Sequence, residues 1–457
     1  MKLGVVILAA GMGKRMRSAL PKVLHPLAGR PLLAHVLEAA ARIGSERTVV
    51  VHGHGGEQVL SALADRDCAW VEQPERLGTG HAVQQAMPLV QAMDRVLVLY
   101  GDVPLVDPET LGRLIEGSRD CPLGILTAEL EDPAGYGRII RDPATGRILR
   151  SVEHKDASPE ELGVREVNTG FLVADRARLQ GWLDRLTNDN AQGEYYLTDV
   201  IALAVADGAE VASVQAPTVE EVSGVNDRMQ LAALERYYQR RLAENLMRAG
   251  VTLADPARID IRGTLETGQD VTIDVNLVIE GCVRLGDGVR IGPNCLIRDT
   301  VIGDGAEILG NCVIEASEIG PGARVGPFAR LRPEARLDAH THIGNFVEIK
   351  KSRVGVGSKV NHLTYVGDTE IGSGVNVGAG TITCNYDGAN KFKTIIGDGA
   401  FIGSNTSLVA PVTVGAGATI GAGSVITKDA PPEQLTLARG RQVTIAGWQR
   451  PRKQSKT

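Results

Sequence analysis

The sequence predicts an α/β chain in two parts, a mostly parallel sheet covered by helices and then a parallel β-helix. Three observations point there. Short β-branched runs alternate with helical patterns up to about residue 224, a long polar helix follows, and beyond Pro256 an aliphatic residue followed by glycine recurs every six residues. At 457 residues the chain exceeds what one core serves, so two or more domains of ~100–250 residues are expected.

In order, Gly4 to Leu8, Thr48 to Val51 and Arg95 to Tyr100 read as buried central strands, with helices over 30–43 and 79–87. Around Asn226 the pattern changes to a helix whose stripe is Leu231, Leu234, Tyr238, Leu242 and Leu246. Asp227 to Gln230 resembles a capping box at its start, and Gly250 is placed to end it. The repeat follows, with pairs beginning at Leu285, Ile291, Ile319, Val325, Ile371, Val377, Ile396, Ile402, Val414 and Ile420. In a β-helix the aliphatic residue points inward and the glycine fits a corner. Residues 379–393 interrupt the phase, and insertions in solenoids map to loops that often bind ligand. Asn385, Tyr386, Asp387 and Lys391 make this loop polar. The expected division is a nucleotide-binding type domain over 1–225, a connector helix over 226–250, a β-helix over 251–430 and a tail over 431–457.

Composition excludes several classes. Apolar residues make up 43% and charged residues 23%, which is globular, and a net charge of −6 provides no field to recruit nucleic acid or an anionic membrane. The segment from Arg450 is locally basic and reads as a solvated tail. No apolar stretch approaches a membrane span, and no signal peptide opens the chain, so a cytoplasmic protein is expected. The six cysteines, Cys68, Cys121, Cys282, Cys295, Cys312 and Cys384, show no zinc spacing and read as reduced, mostly buried thiols.

The first strand empties into Leu8, Ala9, Ala10 and Gly11, followed by Gly13, Lys14, Arg15 and Lys22. Two glycines let the backbone turn and aim N–H groups at an anion such as a triphosphate, and the cations add charge. The run is neither a Walker A loop nor a full dinucleotide turn, and a plain strand-to-helix turn is the alternative. Asp102 follows Tyr100 and Gly101 at the carboxyl end of a predicted central strand, where open α/β sheets bind ligands, and one carboxylate with substrate phosphates is a usual way to hold Mg²⁺. Its alternative is a cap for a helix near Pro108.

These motifs, with Gln73 and the segment Leu77 to Gly80, resemble the nucleoside-diphosphate-sugar pyrophosphorylases. Joined to the hexapeptide half and its Asn385 loop, the chain resembles the bifunctional family pairing N-acetylglucosamine-1-phosphate uridylyltransferase with glucosamine-1-phosphate N-acetyltransferase, over roughly Leu3 to Trp448. The implied fold class is α/β, with a Rossmann-like nucleotidyltransferase domain, a connector helix and a left-handed parallel β-helix of hexapeptide repeats. The resemblance implies that Leu8, Ala9, Ala10, Gly11, Tyr100 and Gly101 line the UTP site, that Arg15 and Lys22 neutralise phosphates, and that Gln73, Gly78 and Thr79 face the uracil. Gly137, Glu153 and Asn168 would take the sugar, and Asp102 and Asn226 would share Mg²⁺. Asn226 is also a favoured helix cap. Since a sugar phosphate is already anionic, it attacks UTP without a general base.

Acetylating a sugar amine does require a proton acceptor, and histidine suits that task near neutral pH. His362 is the candidate, close to Glu348, which could orient its ring. A lone histidine is more often a packing or surface residue, and it is the resemblance that assigns the base. The resemblance further implies that Arg332, Lys350, Tyr365, Asn376, Asn385 and Tyr386 hold the acetyl acceptor, and that Ala379, Ser404, Ala422 and Arg439 line the acetyl-CoA path. It also implies a homotrimer with acetyl-transfer sites between subunits, small-molecule substrates only, and synthesis of UDP-N-acetylglucosamine from glucosamine 1-phosphate, acetyl-CoA and UTP. His52 with His54, and His340 with His342, stand at i, i+2 and would share a strand face, but with no third ligand they read as surface residues. Two other functions compete: a single nucleotidyltransferase with the β-helix as scaffold, and a nucleotide-sugar sensor without turnover.

Overall fold

Leu3–Leu8 is buried along its whole length in the computed structural model, which describes residues 1–53, 55–190 and 192–451. Burial on both faces is what a continuous apolar run demands. The strand lies inside a nine-stranded sheet whose path runs Val211–Gln215, Leu123–Glu129, Glu166–Asp175, Arg95–Tyr100, Leu3–Leu8, Arg47–His52, Ala69–Glu72. Pairing along this path is parallel except around Glu166–Asp175, which is antiparallel to both neighbours. A hairpin of Gly137–Arg141 and Ile148–Val152 pairs onto that strand. Alternate residues of Leu3–Leu8 serve opposite cores: Val5 and Ile7 pack with Leu33 and Val36, Val6 and Leu8 with Val83 and Ala86. Each such side chain contributes ~1.5–3 kcal/mol by burial.

The first helix, Leu32–Arg42, begins later than expected because Arg30 and Pro31 pair with Leu27 and Pro26 in a small antiparallel ladder. The next expected helix covers Thr79–Ala86 and passes into a 3₁₀ turn, Met87–Val90, that accommodates Pro88. The long helix runs Arg228–Arg248. Asp227 caps it by accepting from the Met229 and Gln230 N–H groups, whereas Gln230 reaches back to Asn226 N, one residue earlier than a capping box requires. Two compact units divide inside this helix, one from Met1 to Arg241 and the other from Leu242 onward. Leu231 and Leu234 belong to a core of the first with Met16, Leu32 and Leu105; Leu242, Ala243 and Leu246 belong to the core of the second.

The second unit is a coil of short strands in two parallel sheets of 11 and 17 strands. The aliphatic member of every repeat pair is buried, from Leu285 at 4% exposure to Ile420 at 0%. The glycine that follows marks where one coil's backbone approaches the next: a Cβ on Gly378 would stand 2.6 Å from Ser404 N. Parallel pairing continues through Leu435–Thr436, beyond Pro431, where the repeat stops being legible in the sequence. The expectation of mostly buried cysteines is not met: Cys295 and Cys312 are buried, Cys282 is exposed, and the other three are half-buried, all as free thiols.

Candidate functional site

Parallel pairing sets Leu8 beside Tyr100, and Gly101 N donates to Leu8 O at 2.9 Å, so the loops leaving these strands share one end of the sheet. Between them lies a cleft of about 270 Å³. Leu8, Ala9, Ala10, Gly11, Lys22, Gln73, Gly78, Thr79, Tyr100 and Asp102 all line it. Of the two glycines expected to turn the loop, only Gly13 takes left-handed backbone, at φ 58°, pressed against the Lys22 side chain. Arg15 is exposed in a short 3₁₀ turn with no ion pair among the described residues. Gln73 is buried and donates to Gly78 O at 3.0 Å, and Thr79 Oγ1 accepts from Leu197 N at 3.1 Å, so both side chains are held toward the cleft.

The competing helix-cap readings of Asp102 and Asn226 are settled by their neighbours. Asp107 caps the helix at Pro108, and Asp227 caps the long helix. Both side chains are thereby released to Lys22, whose ammonium pairs with Asp102 and lies 3.5 Å from Asn226 Oδ1. A backbone bond from Val225 N to Asp102 O at 2.9 Å brings the two loops together. A cation already bridges one carboxylate and one amide oxygen, the hard-oxygen donor set that suits Mg²⁺ when substrate phosphates complete it. Among the described residues no group of three or more His, Cys, Asp or Glu side chains converges as a metal site.

Gly137 pairs in register with Asn168, whose Nδ2 reaches Ser151 Oγ at 3.3 Å, and Glu153 Oε1 accepts from Thr198 Oγ1 at 3.1 Å. This trio lies together but outside the lining of the first cleft. Burial pushes the Glu153 carboxyl above its ordinary range; burial, with Glu153 and Asp156 adding repulsion, pushes Asp199 up to about 6. The native state therefore keeps a proton on Asp199 that the unfolded chain releases near pH 4. Stability falls as pH rises through about 6 and stays reduced above it. Discounted for partial exposure, the penalty at pH 7 is ~1–2 kcal/mol. Asp199→Asn is thus expected to raise the thermal midpoint at pH 7.5 and leave it unchanged at pH 4, a contrast that calorimetry at both pH values would read.

Sequence reasoning missed Arg76 and Glu194, which also line the cleft. It missed Arg138 as well. This guanidinium is 2% exposed, has no carboxylate partner among the described residues, and donates to Tyr136 O and, at 3.5 Å, to Leu162 O, tying the start of this hairpin to the helix beyond it.

On the second unit His362 ends a strand, Leu363 turns the corner at φ 48°, and Tyr365 opens a strand of the other sheet. Backbone bonds from Gly380 N to His362 O, Asn405 N to Ala379 O and Gly423 N to Ser404 O stack His362, Ala379, Ser404 and Ala422 along this edge, one per coil. Arg439 donates to Ala422 O at 3.1 Å and joins the column. Around the corner, Glu348, Tyr365 and Ile382 follow in register, bringing Arg332, Lys350, Tyr365 and the base of the Asn385 loop to one face. Lys391 depresses the Lys350 ammonium, so two cations crowd together there. Asn385 is buried and donates to Asp368; Tyr386 is exposed. Asn376 is not on this face but in the other sheet, between Lys359 and Phe401. Glu348 does not orient His362: it accepts from Arg332 at 2.8 Å, and the imidazole Nδ1 instead faces Asn345 Oδ1 at 2.9 Å.

The histidine pairs give nothing further. His340 sits in a turn at φ 58°, so it does not share a strand face with His342, and His54 lies outside the described residues, as does the tail from 452 onward.

Residues 5–165 match the MobA-like NTP transferase domain, and residues 393–428 match the bacterial transferase hexapeptide (six repeats). Fold and sites thus define a two-part transferase, a nucleotidyltransferase joined to a hexapeptide acyltransferase. The chain is 60% identical to the bifunctional protein GlmU of Azoarcus sp., over 98% of this chain and 99% of that one. It is also 60% identical to that of Methylococcus capsulatus, over 100% and 99%, and 59% identical to that of Ralstonia nicotianae, over 99% and 100%. The chain belongs to the bifunctional GlmU family.

Proposed function

We propose that the two units perform successive steps of UDP-N-acetylglucosamine synthesis, providing precursor for peptidoglycan and lipopolysaccharide. The β-helix unit moves acetyl from acetyl-CoA to glucosamine 1-phosphate. The α/β unit joins the resulting N-acetylglucosamine 1-phosphate to UTP with release of pyrophosphate. The observation that carries this reading is the division of chemistry between the units. One holds an anion cleft with Lys22, Asp102 and Asn226 at its mouth and needs no base; the other sets His362 on an edge where small residues, Ala379, Ser404 and Ala422, leave an open path.

In the first reaction a sugar-phosphate oxygen forms a bond to the α-phosphorus of UTP as the bond to pyrophosphate breaks. Asp102 and Asn226 would hold Mg²⁺, which when bound supplies neutralisation of phosphate charge. Lys22 and Arg15 hold phosphate oxygens, Gln73 and Thr79 fix the uracil, and Gly137, Glu153 and Asn168 fix the sugar. In the second reaction His362 takes a proton from the sugar ammonium, and the neutral amine so freed forms a bond to the thioester carbonyl carbon. As the C–S bond breaks, the nitrogen's second proton passes to the departing CoA thiolate, and the imidazolium releases its proton to solvent. Arg332 and Lys350 hold the phosphate.

Four further features support assembly and location. Phe328, Phe346 and Leu363, exposed at 50%, 54% and 63%, lie along the edge that carries His362, and an apolar ridge of this kind favours burial against other copies. Asn376 lies on the other sheet, so a neighbouring subunit is the natural source of the asparagine that completes the acceptor site. No helix of the described residues is long and apolar enough to cross a membrane, and free thiols fit the reducing cytoplasm.

Incubation with glucosamine 1-phosphate, acetyl-CoA, UTP and Mg²⁺ is expected to yield UDP-N-acetylglucosamine, and omission of UTP to stop at the acetylated sugar phosphate. Sedimentation of the same sample is expected to show trimers. Uridylylation without acetyl-CoA at an equal rate, or an acetyl-transferring monomer, would overturn the scheme.

A further inference from the structure

We infer that Asn345 fixes the tautomer and ring orientation of His362, making Nε2 the basic atom. This rests on reading His362 as the base of acetyl transfer. Asn345 and His362 are register partners on adjacent coils, and each immediately precedes a left-handed corner residue, Phe346 at φ 58° and Leu363 at φ 48°. A backbone bond from Leu363 N to Asn345 O at 3.1 Å locks the two corners together, so the side chains leave parallel backbones side by side. The coils approach so closely that a Cβ on Gly344 would stand 1.9 Å from Asn361 O.

The 2.9 Å contact joins imidazole Nδ1 to the amide oxygen of Asn345. An amide oxygen only accepts, so the proton of the neutral ring resides on Nδ1 and the lone pair on Nε2. With Glu348 engaged by Arg332, no carboxylate among the described residues takes that place. Among the described residues, His342 interacts with the ring from the same sheet and Lys359 opens the strand that His362 ends, while Arg332, Glu348 and Tyr365 lie on the strands beyond the corner. A neutral orienter fixes the ring without the added negative charge that a carboxylate would place beside it. Asn345 is a positioning residue, acting through His362.

Three variants separate the possibilities, with CoA thiol release followed across pH. Asn345→Ala is expected to lower kcat ~10-fold or more, with both KM values within ~2-fold. Asn345→Asp keeps an acceptor in place but adds a charge, so the acid limb of kcat/KM is expected to rise by about one pH unit, with the rate at pH 9 within ~3-fold of the parent. His362→Gln is expected to abolish acetyl transfer. If His362→Gln is inactive while Asn345→Ala keeps the parent kcat, or while Asn345→Asp leaves the acid limb unmoved, the positioning role is overturned. If His362→Gln remains active, the base assignment falls first and takes the inference with it.

Discussion

Replacement of Asp102 by alanine is expected to lower uridylyl transfer ~10³-fold or more while acetyl transfer stays within ~2-fold of the parent. The size follows from what the carboxylate does. It is an acidic oxygen donor lining the cleft, paired with Lys22 and joined to Asn226 through the Val225 backbone. Without it, on the proposed function, a divalent cation would be left with the Asn226 amide oxygen and the substrate phosphates, and the Lys22 side chain, itself only 12% exposed, loses its counter-charge. Asp102→Asn separates these effects, since it retains an oxygen near Lys22 but not the charge. Rates at rising Mg²⁺ would read the difference: partial recovery is expected for the asparagine and little for the alanine. Retention of more than a tenth of the parent rate by Asp102→Ala would remove this residue from the centre of the reaction.

The second large effect is the opposite one. His362→Ala is expected to lower acetyl transfer by ~10²–10⁴-fold, the usual contribution of a positioned general base, without changing uridylyl transfer. Its signature is a changed pH dependence. When no side chain takes the proton, the reaction proceeds only from sugar amine that is already neutral, so the residual rate is expected to climb with pH across the range where the parent enzyme is flat. A variant slowed by the same factor with an unchanged pH profile would point to lost packing at the corner and not to a lost base.

Much of this was legible in the sequence, for reasons that differ along the chain. Buried strands need continuous apolar runs, so Leu3–Leu8 and Arg95–Tyr100 were visible and their carboxyl ends marked the first cleft. The six-residue phase marked the coil because a solenoid repeats its geometry. The two alternatives for Asp102 and Asn226 could not be resolved without coordinates, because aspartates suited to capping stood only a few residues away at 107 and 227. Arg138 was hidden for a different reason: arginine is read as surface, and nothing local signals a guanidinium held by carbonyls. Asn345 was hidden because hexapeptide phase tells which face a residue occupies but not which residue of the next coil it meets. That pairing depends on coil length, and proximity in sequence favoured Glu348, which turned out to be committed to Arg332.

The column from His362 to Ala422 behaves as a ruler. Each coil adds one strand spacing, ~4.8 Å, so the three steps through Ala379, Ser404 and Ala422 mark off ~14 Å from the imidazole. The graduations are set by coil count, since each of these coils pairs in parallel register with the next. Inserting one complete coil between Ser404 and Ala422 would move Ala422 and Arg439 a full graduation away from His362 while leaving each layer's contacts as they are. On the proposed function, the reach of a thiol carrier's arm would be matched here by a whole number of turns, which changes by integers and not by degrees.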